Sequence, residues 1–109
     1  MGGEHKRTDA RRRYEAIYRR NRIARIRDEI VDLLGSTCVK CGFDDRRALA
    51  IDHINGGGLG ERQKWGGSYY PNVLKLLQSG STAYQLLCFN CNEIKKRENE
   101  ENRARVHDD

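Results

Sequence analysis

The sequence predicts a small α+β domain that carries a basic helical arm at its amino-terminal end. Its 109 residues suffice for one domain, and only 37% of them are apolar, so the core must be thin and needs a cross-link. Two C-x-x-C pairs lie next to two short apolar stretches. We therefore predict an arm over residues 1–35, a cross-linked domain over 36–103 and a tail over 104–109.

The arm is predicted to be helical because residues 4–34 contain neither glycine nor proline, and Gly35 suits the position just past a helix end. Its broad apolar face belongs to the second half, which we expect to dock on the core. The first half is expected to project, to pack on a partner or to become ordered on DNA. We also expect a break near Asn21. The residues of this face are Ile23, Ile26, Ile30, Leu33 and Leu34.

Positive charge is concentrated in the arm. Residues 1–27 hold ten basic and three acidic residues, whereas the rest of the chain is close to neutral. A basic segment beside a neutral body favours a polyanionic partner, most simply nucleic acid, and the alternative is a solvated arginine-rich helix. The arm residues that we assign to this contact are Arg12, Arg13, Arg19 and Arg20.

The four cysteines are Cys38, Cys41, Cys88 and Cys91. Two C-x-x-C turns predict a tetrahedral Cys₄ zinc site, since each turn directs two thiolates at one ion. Disulfides are the alternative, but no signal peptide is recognisable, which favours a reducing compartment. A redox C-x-x-C normally occurs once, beside a βαβ pattern that is not visible here. Zinc would supply the missing cross-link.

Between and after the cysteine pairs, the pattern alternates between short strands and helices. Ala48–Ile54 and Tyr84–Cys88 are predicted strands, and Tyr70–Gln78 is a predicted short helix with Pro71 in its first turn. The glycine-bearing stretch 61–68 is predicted to be a loop. A charged helix is expected from Asn92 to about Arg103. Joining the two cysteine pairs on zinc would place the strands side by side, with the last helix across them.

Three polar residues beside these elements suggest chemistry. Asp52 and Asn92 offer the hard oxygen ligands that suit Mg²⁺. His53, which precedes a glycine run, is a candidate general base. Strict strand alternation puts Asp52 and His53 on opposite faces, so both can reach one phosphate only if the strand ends or twists there.

The motif C-x-x-C, then L-x-I-D-H-I-N-G-G, then Y-Q-L-L-C-x-N-C-N-x-x-K resembles the HNH endonucleases, the ββα-metal nucleases, over residues 36–96. The resemblance is closest to small phage and mobile-element members. It implies a ββα-metal fold, with His53 as the general base and a catalytic Mg²⁺ or Mn²⁺ on Asp52 and Asn92. It also implies that the four cysteines bind a structural zinc, and that Lys95 matches the lysine that closes the motif, where we expect a DNA contact.

One position departs from the family pattern. Ala83 stands where the family usually has its central asparagine, which braces the loop and orients the histidine. Asn55 or Asn72 are candidate substitutes, and the sequence leaves this open. The long connection after Ile54 carries Arg62 and Lys64, to which we assign further DNA contacts.

The sequence therefore predicts a metal-dependent endonuclease that hydrolyses DNA phosphodiester bonds, by nicking or by double-strand cleavage. The alternative is a zinc-stabilised nucleic-acid-binding adaptor that does not cut, which Ala83 favours. A homodimer through Tyr14, Ile17 and Tyr18 stays open, as do phage packaging or recombination partners. No run of about 18 apolar residues is present, so no membrane partner is expected. We expect a cytoplasmic location, in a host cell if the chain is phage-encoded.

Overall fold

The computed structural model describes residues 8–107, with side chains described as far as Glu100. Residues 1–7 of the predicted arm and 108–109 of the predicted tail lie outside the described residues. In chain order, the helices and strands are α1 (Asp9–Leu33), β1 (Leu49–His53), α2 (Gly58–Trp65), α3 (Tyr69–Gln78), β2 (Tyr84–Cys88) and α4 (Phe89–His107). Short 3₁₀ turns at Arg46–Ala48 and Gly66–Ser68 precede β1 and α3.

Helix α1 is one uninterrupted helix of 25 residues. The Thr8 side chain caps it by accepting a hydrogen bond of 3.1 Å from the backbone N–H of Arg11. The predicted break near Asn21 is wrong, because an asparagine inside a helix costs only about 0.5 kcal/mol. The helix ends where Gly35 adopts a positive φ of 99°.

The second half of α1 docks on the core, as expected, but Leu33 of the predicted face is 55% exposed and Val31, which was not assigned to that face, is buried. Ile30 and Val31 are fully buried, and the helix packs against α3. Arg46, just before β1, fastens this half by hydrogen-bonding to Asp32. The large apolar residues of the first half are exposed: Tyr14, Ile17 and Tyr18.

Strands β1 and β2 pair antiparallel, with Leu49 opposite Cys88 and His53 opposite Tyr84. Both predicted strands are confirmed to within one residue at each end. Helix α4 packs across both strands. The molecule is thus a small α+β fold built on a two-stranded sheet, in agreement with the predicted class.

Two groups of buried side chains meet on this sheet. One surrounds the cysteine pairs and contains Val31, Cys38, Leu49, Leu86, Leu87 and Cys88. The other lies between α1, α3 and β2 and contains Ile30, Tyr69, Val73 and Tyr84. Leu34 and Ile51 pack against both groups, so the docked end of α1 is continuous with the core.

The segment predicted as a loop over 61–68 is mostly helical, so that prediction is wrong. Helix α2 has glycines at positions 58 and 60 and no side-chain cap at Gly57, which is why no helical signal is visible in this stretch of the sequence. Tertiary contacts with other elements stabilise α2 instead. Trp65 packs against the second core group, and Glu61 bonds to the end of the sheet.

Helix α4 begins at Phe89, three residues before the predicted start, and continues beyond Arg103 to His107. Because of this early start, Cys91 and Asn92 both lie in its first turns, directly after the end of β2. Within residues 8–107, no helix combines the length and the apolar content needed to cross a membrane.

Candidate functional site

The four cysteine sulfur atoms form a cluster in which all lie within 4.8 Å of one another. All four cysteines are free thiols. The Sγ atoms of Cys41 and Cys88 are 3.7 Å apart. A tetrahedral zinc with bonds of about 2.3 Å would place its sulfur ligands about 3.8 Å apart, whereas a disulfide is only about 2.05 Å long. The cluster therefore fits a metal ion such as zinc.

Backbone turns direct these sulfurs inward. In the first pair, Gly42 takes a positive φ of 81° and its N–H donates to the carbonyl of Cys38 over 2.9 Å. In the second pair, Cys88 ends β2 and the N–H of Cys91 points at the Cys88 sulfur over 3.4 Å. The two turns are joined because Val39 N–H donates to the carbonyl of Leu86 in β2.

The close packing of the cluster shifts the pKa values of two of its thiols in opposite directions. Burial of Cys38 opposes its ionisation, but hydrogen bonds from the backbone of Cys88, Cys41 and Lys40 lower its pKa to about 6. The hydrogen bond with Cys88, followed by burial, raises the pKa of Cys91 to about 12. Ionisation of one thiol is therefore favoured, and its negative charge opposes ionisation of a neighbouring thiol. A divalent cation bound between the sulfur atoms would remove this repulsion.

A cavity of about 440 Å³ opens at the end of β1 next to α2 and α4. Its lining includes Asp52, His53 and Asn92, so the structure brings all three predicted residues to one cavity. Gly56, Gly58, Arg62, Tyr69 and Lys95 are further lining residues. The cavity therefore combines carboxylate, imidazole and amide groups with three basic side chains, since Lys96 also lines it.

His53 is held tightly, with only 9% of its surface exposed. Its Nε2 atom lies 2.6 Å from Oε1 of Glu61, and the Tyr84 ring meets it edge-to-face with centroids 4.7 Å apart. Burial opposes the ionisation of Glu61, but hydrogen bonds from His53 and Tyr84 lower its pKa below the ordinary value. Burial, then the same carboxylate, raises the pKa of Tyr84 well above its usual range.

Asp52 has a different set of partners. Its Oδ2 atom accepts 2.8 Å from Gln85 Nε2 and 2.6 Å from Lys95 Nζ. Lys95 also donates to the carbonyls of His53 and Ile54 at the end of β1. The three N–H groups of this ammonium are thus satisfied inside the protein, and its predicted DNA contact stays a prediction.

Neighbouring strand residues reach the same cavity because β1 ends at His53. Asp52 pairs across the sheet with Gln85, and His53 pairs with Tyr84. The backbone turns immediately afterwards, with Gly56 N–H donating 3.0 Å to the carbonyl of His53. The cavity adjoins this strand end and is lined by both Asp52 and His53, although the two residues alternate along β1.

A second concavity, which we name the Arg62 groove, lies between α1 and α3 and has a volume of about 620 Å³. The Arg62 guanidinium stacks 4.6 Å from the Tyr69 ring centroid and 5.7 Å from that of Tyr70. Arg62 and Tyr69 line both this groove and the cavity at the strand end, so the two concavities adjoin. The groove is lined by Arg19, Arg22, Ile23, Arg62, Gly66, Gly67, Tyr69 and Tyr70.

The other residues predicted to bind DNA are distributed along the surface. Arg12 forms a 3.4 Å ion pair with Asp9. Arg13, Arg20 and Lys64 are exposed. Of the predicted set, Arg19 and Arg62 are brought together in the Arg62 groove. Arg22, which was not among the predicted residues, joins them there.

The groups around His53 were not predicted from the sequence. Glu61 and Tyr84 bond to each other over 2.8 Å, and Gly58 lies against the imidazole. Glu61 lies on α2, whose glycines leave no helical signal in the sequence, and Tyr84 has the pattern of an ordinary strand residue. The register that pairs His53 with Tyr84 was the one available signal, since it follows once the two cysteine pairs are joined.

Comparison with protein-family models, with curated proteins and with solved structures finds no match for this chain. The function is therefore inferred from the residues of the site itself.

Proposed function

We propose that the protein is a metal-dependent endonuclease of the HNH type that hydrolyses DNA phosphodiester bonds. The observation that carries the proposal is the convergence of Asp52, His53 and Asn92 on one cavity at the end of β1. A sheet of two strands followed by a helix holds these residues, and a cysteine cluster joins the strands. This is the arrangement that the motif resemblance leads us to expect.

In the proposed reaction, His53 accepts a proton from a water molecule that attacks the phosphorus atom. The bond from phosphorus to the 3′ oxygen breaks, and the leaving oxygen takes a proton from solvent. The resemblance implies products with a 5′-phosphate and a 3′-hydroxyl. General base catalysis of this kind contributes roughly 10² to 10⁴-fold to the rate.

Asp52 and Asn92 would hold Mg²⁺ or Mn²⁺ through a carboxylate and an amide oxygen. When bound, such a cation supplies positive charge that stabilises the phosphate and the leaving oxygen. The cysteine cluster would hold a separate structural zinc, whose closed set of four sulfurs leaves no position for substrate.

The Arg62 groove would carry the DNA backbone toward the cavity. Arg19 and Arg22 can neutralise phosphates, while Arg62 is kept extended by its stacking on Tyr69. Contacts of this type give affinity with little choice of sequence and strong dependence on salt. The shared residue Arg62 makes the groove continuous with the cavity.

A second candidate function is a zinc-stabilised adaptor that binds nucleic acid without cutting it. Two observations favour it. Ala83 replaces the family's central asparagine, and Lys95 already occupies Oδ2 of Asp52, where a catalytic cation would compete with it.

A plasmid assay separates the two functions. The zinc-loaded protein is incubated with supercoiled plasmid and Mg²⁺ or Mn²⁺, alongside His53→Ala and Asp52→Asn variants. We expect open-circle product from the wild type and a rate lower by roughly 10²-fold or more in His53→Ala. Because His53 is buried, zinc content and thermal unfolding of each variant serve as folding controls.

Retained DNA binding without nicking, whichever divalent cation is supplied, would establish the adaptor instead. Equal nicking by the wild type and a folded His53→Ala variant would contradict the assignment of His53.

A further inference from the structure

The hydrogen bond at His53 determines which ring nitrogen is free. Its Nε2 atom lies 2.6 Å from Oε1 of Glu61. An ionised carboxylate only accepts hydrogen bonds, so in the neutral imidazole the proton lies on Nε2 and Nδ1 keeps its lone pair. A base that removes a proton from water needs such a lone pair facing the reacting group.

Glu61 is itself fixed in place. The Tyr84 hydroxyl donates to the same Oε1 atom over 2.8 Å, and this tyrosine is only 5% exposed. Oε1 thus receives one bond from the histidine and one from the tyrosine. The ring of Tyr84 also packs edge-to-face on the imidazole, so each of the three side chains contacts the other two.

On its Nδ1 side, the ring packs directly against a glycine. A Cβ atom at Gly58 would lie 2.7 Å from Nδ1 of His53. The φ of Gly58 is not in the positive range, so this position requires glycine for space rather than for backbone conformation. At Gly60, two residues further along α2, an added Cβ would meet no atom within 4 Å.

We propose that Glu61 is the positioning residue of the site: with Tyr84 it holds His53 in the Nε2–H tautomer and directs Nδ1 toward Gly58, which lines the same cavity. This inference rests on the proposed nuclease function and deepens it. The methyl side chain of Ala83 can orient nothing by hydrogen bonding, and a carboxylate from α2 supplies that orientation from another part of the chain.

The first test compares Glu61→Leu with Glu61→Gln in the zinc-loaded full chain. Leucine removes the acceptor, while glutamine keeps an oxygen at the atom where both hydrogen bonds end. We expect kcat for plasmid nicking to fall by about 10²-fold or more in Glu61→Leu with KM within about twofold, because a wrong tautomer mainly affects turnover. Glu61→Gln should recover most of the lost rate. A folded Glu61→Leu variant with wild-type kcat would overturn the proposal.

The second test reads the tautomer directly and needs no DNA. The ¹⁵N resonances of His53, assigned by their loss in His53→Ala, should show the Nε2–H form in the wild type and in Glu61→Gln. A wild-type Nδ1–H form would overturn the positioning role even if the enzyme nicks DNA. Conversely, an Nε2–H form in a protein that never nicks would sustain the positioning role while the nuclease proposal fails.

The third test uses the two glycines as a matched pair. Gly58→Ala should displace the ring and lower kcat strongly, whereas Gly60→Ala should keep wild-type activity, since both changes add one methyl to the same helix. Equal activity of the two variants would overturn the role given to Gly58.

Discussion

The ammonium of Lys95 lies 2.6 Å from Oδ2 of Asp52, although 43 positions separate them in the sequence. The pair joins α4 to the end of β1 and is mostly shielded from water, with the two side chains 22% and 13% exposed. Lys95 thus secures the helix that carries Asn92 to the strand that carries Asp52 and His53.

We predict that Lys95→Met destabilises the fold by about 3 kcal/mol. The shielded carboxylate of Asp52 loses its cationic partner and keeps only the bond from Gln85, and two strand-end carbonyls lose their donor. Urea denaturation measures this change. Lys75→Met, which removes an exposed lysine from α3, should alter the free energy of unfolding by less than about 0.5 kcal/mol.

Added Mg²⁺ should restore part of the stability lost in Lys95→Met, since a cation at Asp52 replaces the missing positive charge. No gain with Mg²⁺ in the variant would argue against Asp52 as a cation ligand.

Zinc removal should unfold the domain. We expect one zinc per chain by elemental analysis, and a loss of helical circular dichroism after prolonged chelation, because metal binding here supplies much of the folding free energy. Cys41→Ser removes one sulfur ligand and should therefore lower both the zinc content and the thermal stability of the protein. A metal-free protein with unchanged thermal unfolding would refute the cross-linking role.

The docking of α1 can be tested with two isoleucines on one helix. Ile30 is fully buried and Ile17 is 53% exposed. Ile30→Ala should therefore cost about 2–5 kcal/mol of unfolding free energy, and Ile17→Ala less than about 1 kcal/mol. Similar losses in both variants would show that the amino-terminal half of α1 is also covered, as a homodimer through that face would require.

Salt dependence tests the Arg62 groove. The Arg19→Ala and Arg22→Ala double variant should lower the slope of log affinity against log salt by about 2, close to one unit per lost phosphate contact. Arg47→Ala serves as the control, because this arginine already pairs with Asp45 over 2.7 Å. An unchanged slope in the double variant would place the DNA elsewhere.

Acid should destabilise the unit around Glu61. Its pKa is lowered in the folded state, so its stabilisation is complete above the unfolded pKa and is lost as the pH falls through the folded pKa. Urea midpoints should therefore drop on acidification through about pH 4. The drop should be smaller in Glu61→Gln, and an identical acid limb in both proteins would contradict the assigned shift.

Much of the fold follows from short-range patterns in the sequence. Short apolar stretches around Leu49 and Ile51 and around Leu86 and Leu87 identify β1 and β2, and the docked isoleucines of α1 follow from their helical spacing. The spacing of the cysteines also predicts that the strands meet. These features are local, or are linked by one ion, so a pattern of residue types is enough to reveal them.

The elements that the sequence did not predict, helix α2 and the contacts of His53, depend on tertiary contacts that no local pattern contains. Helix α2 has poor intrinsic propensity and forms because Trp65 and Glu61 find partners on other elements. Asp52, His53 and Asn92 line one cavity, and their roles there stay predictions, whereas the groups that contact His53 were not predicted. An acceptor for His53 is recognised only when α2 is folded against the end of the sheet.

Under the proposed nuclease function, the uninterrupted course of α1 predicts the size of the substrate. At about 1.5 Å per residue, a helix of 25 residues is about 37 Å long, and only its carboxyl-terminal end is anchored. The amino-terminal half of α1 thus places arginines some 20 Å beyond the turns that pack on the core. This distance equals the length of about six base pairs of duplex DNA. Oligonucleotides without flanking duplex of that length would lose the phosphate contacts of these arginines. The shortest DNA that is cut efficiently should therefore be considerably longer than the few nucleotides at the point of cleavage.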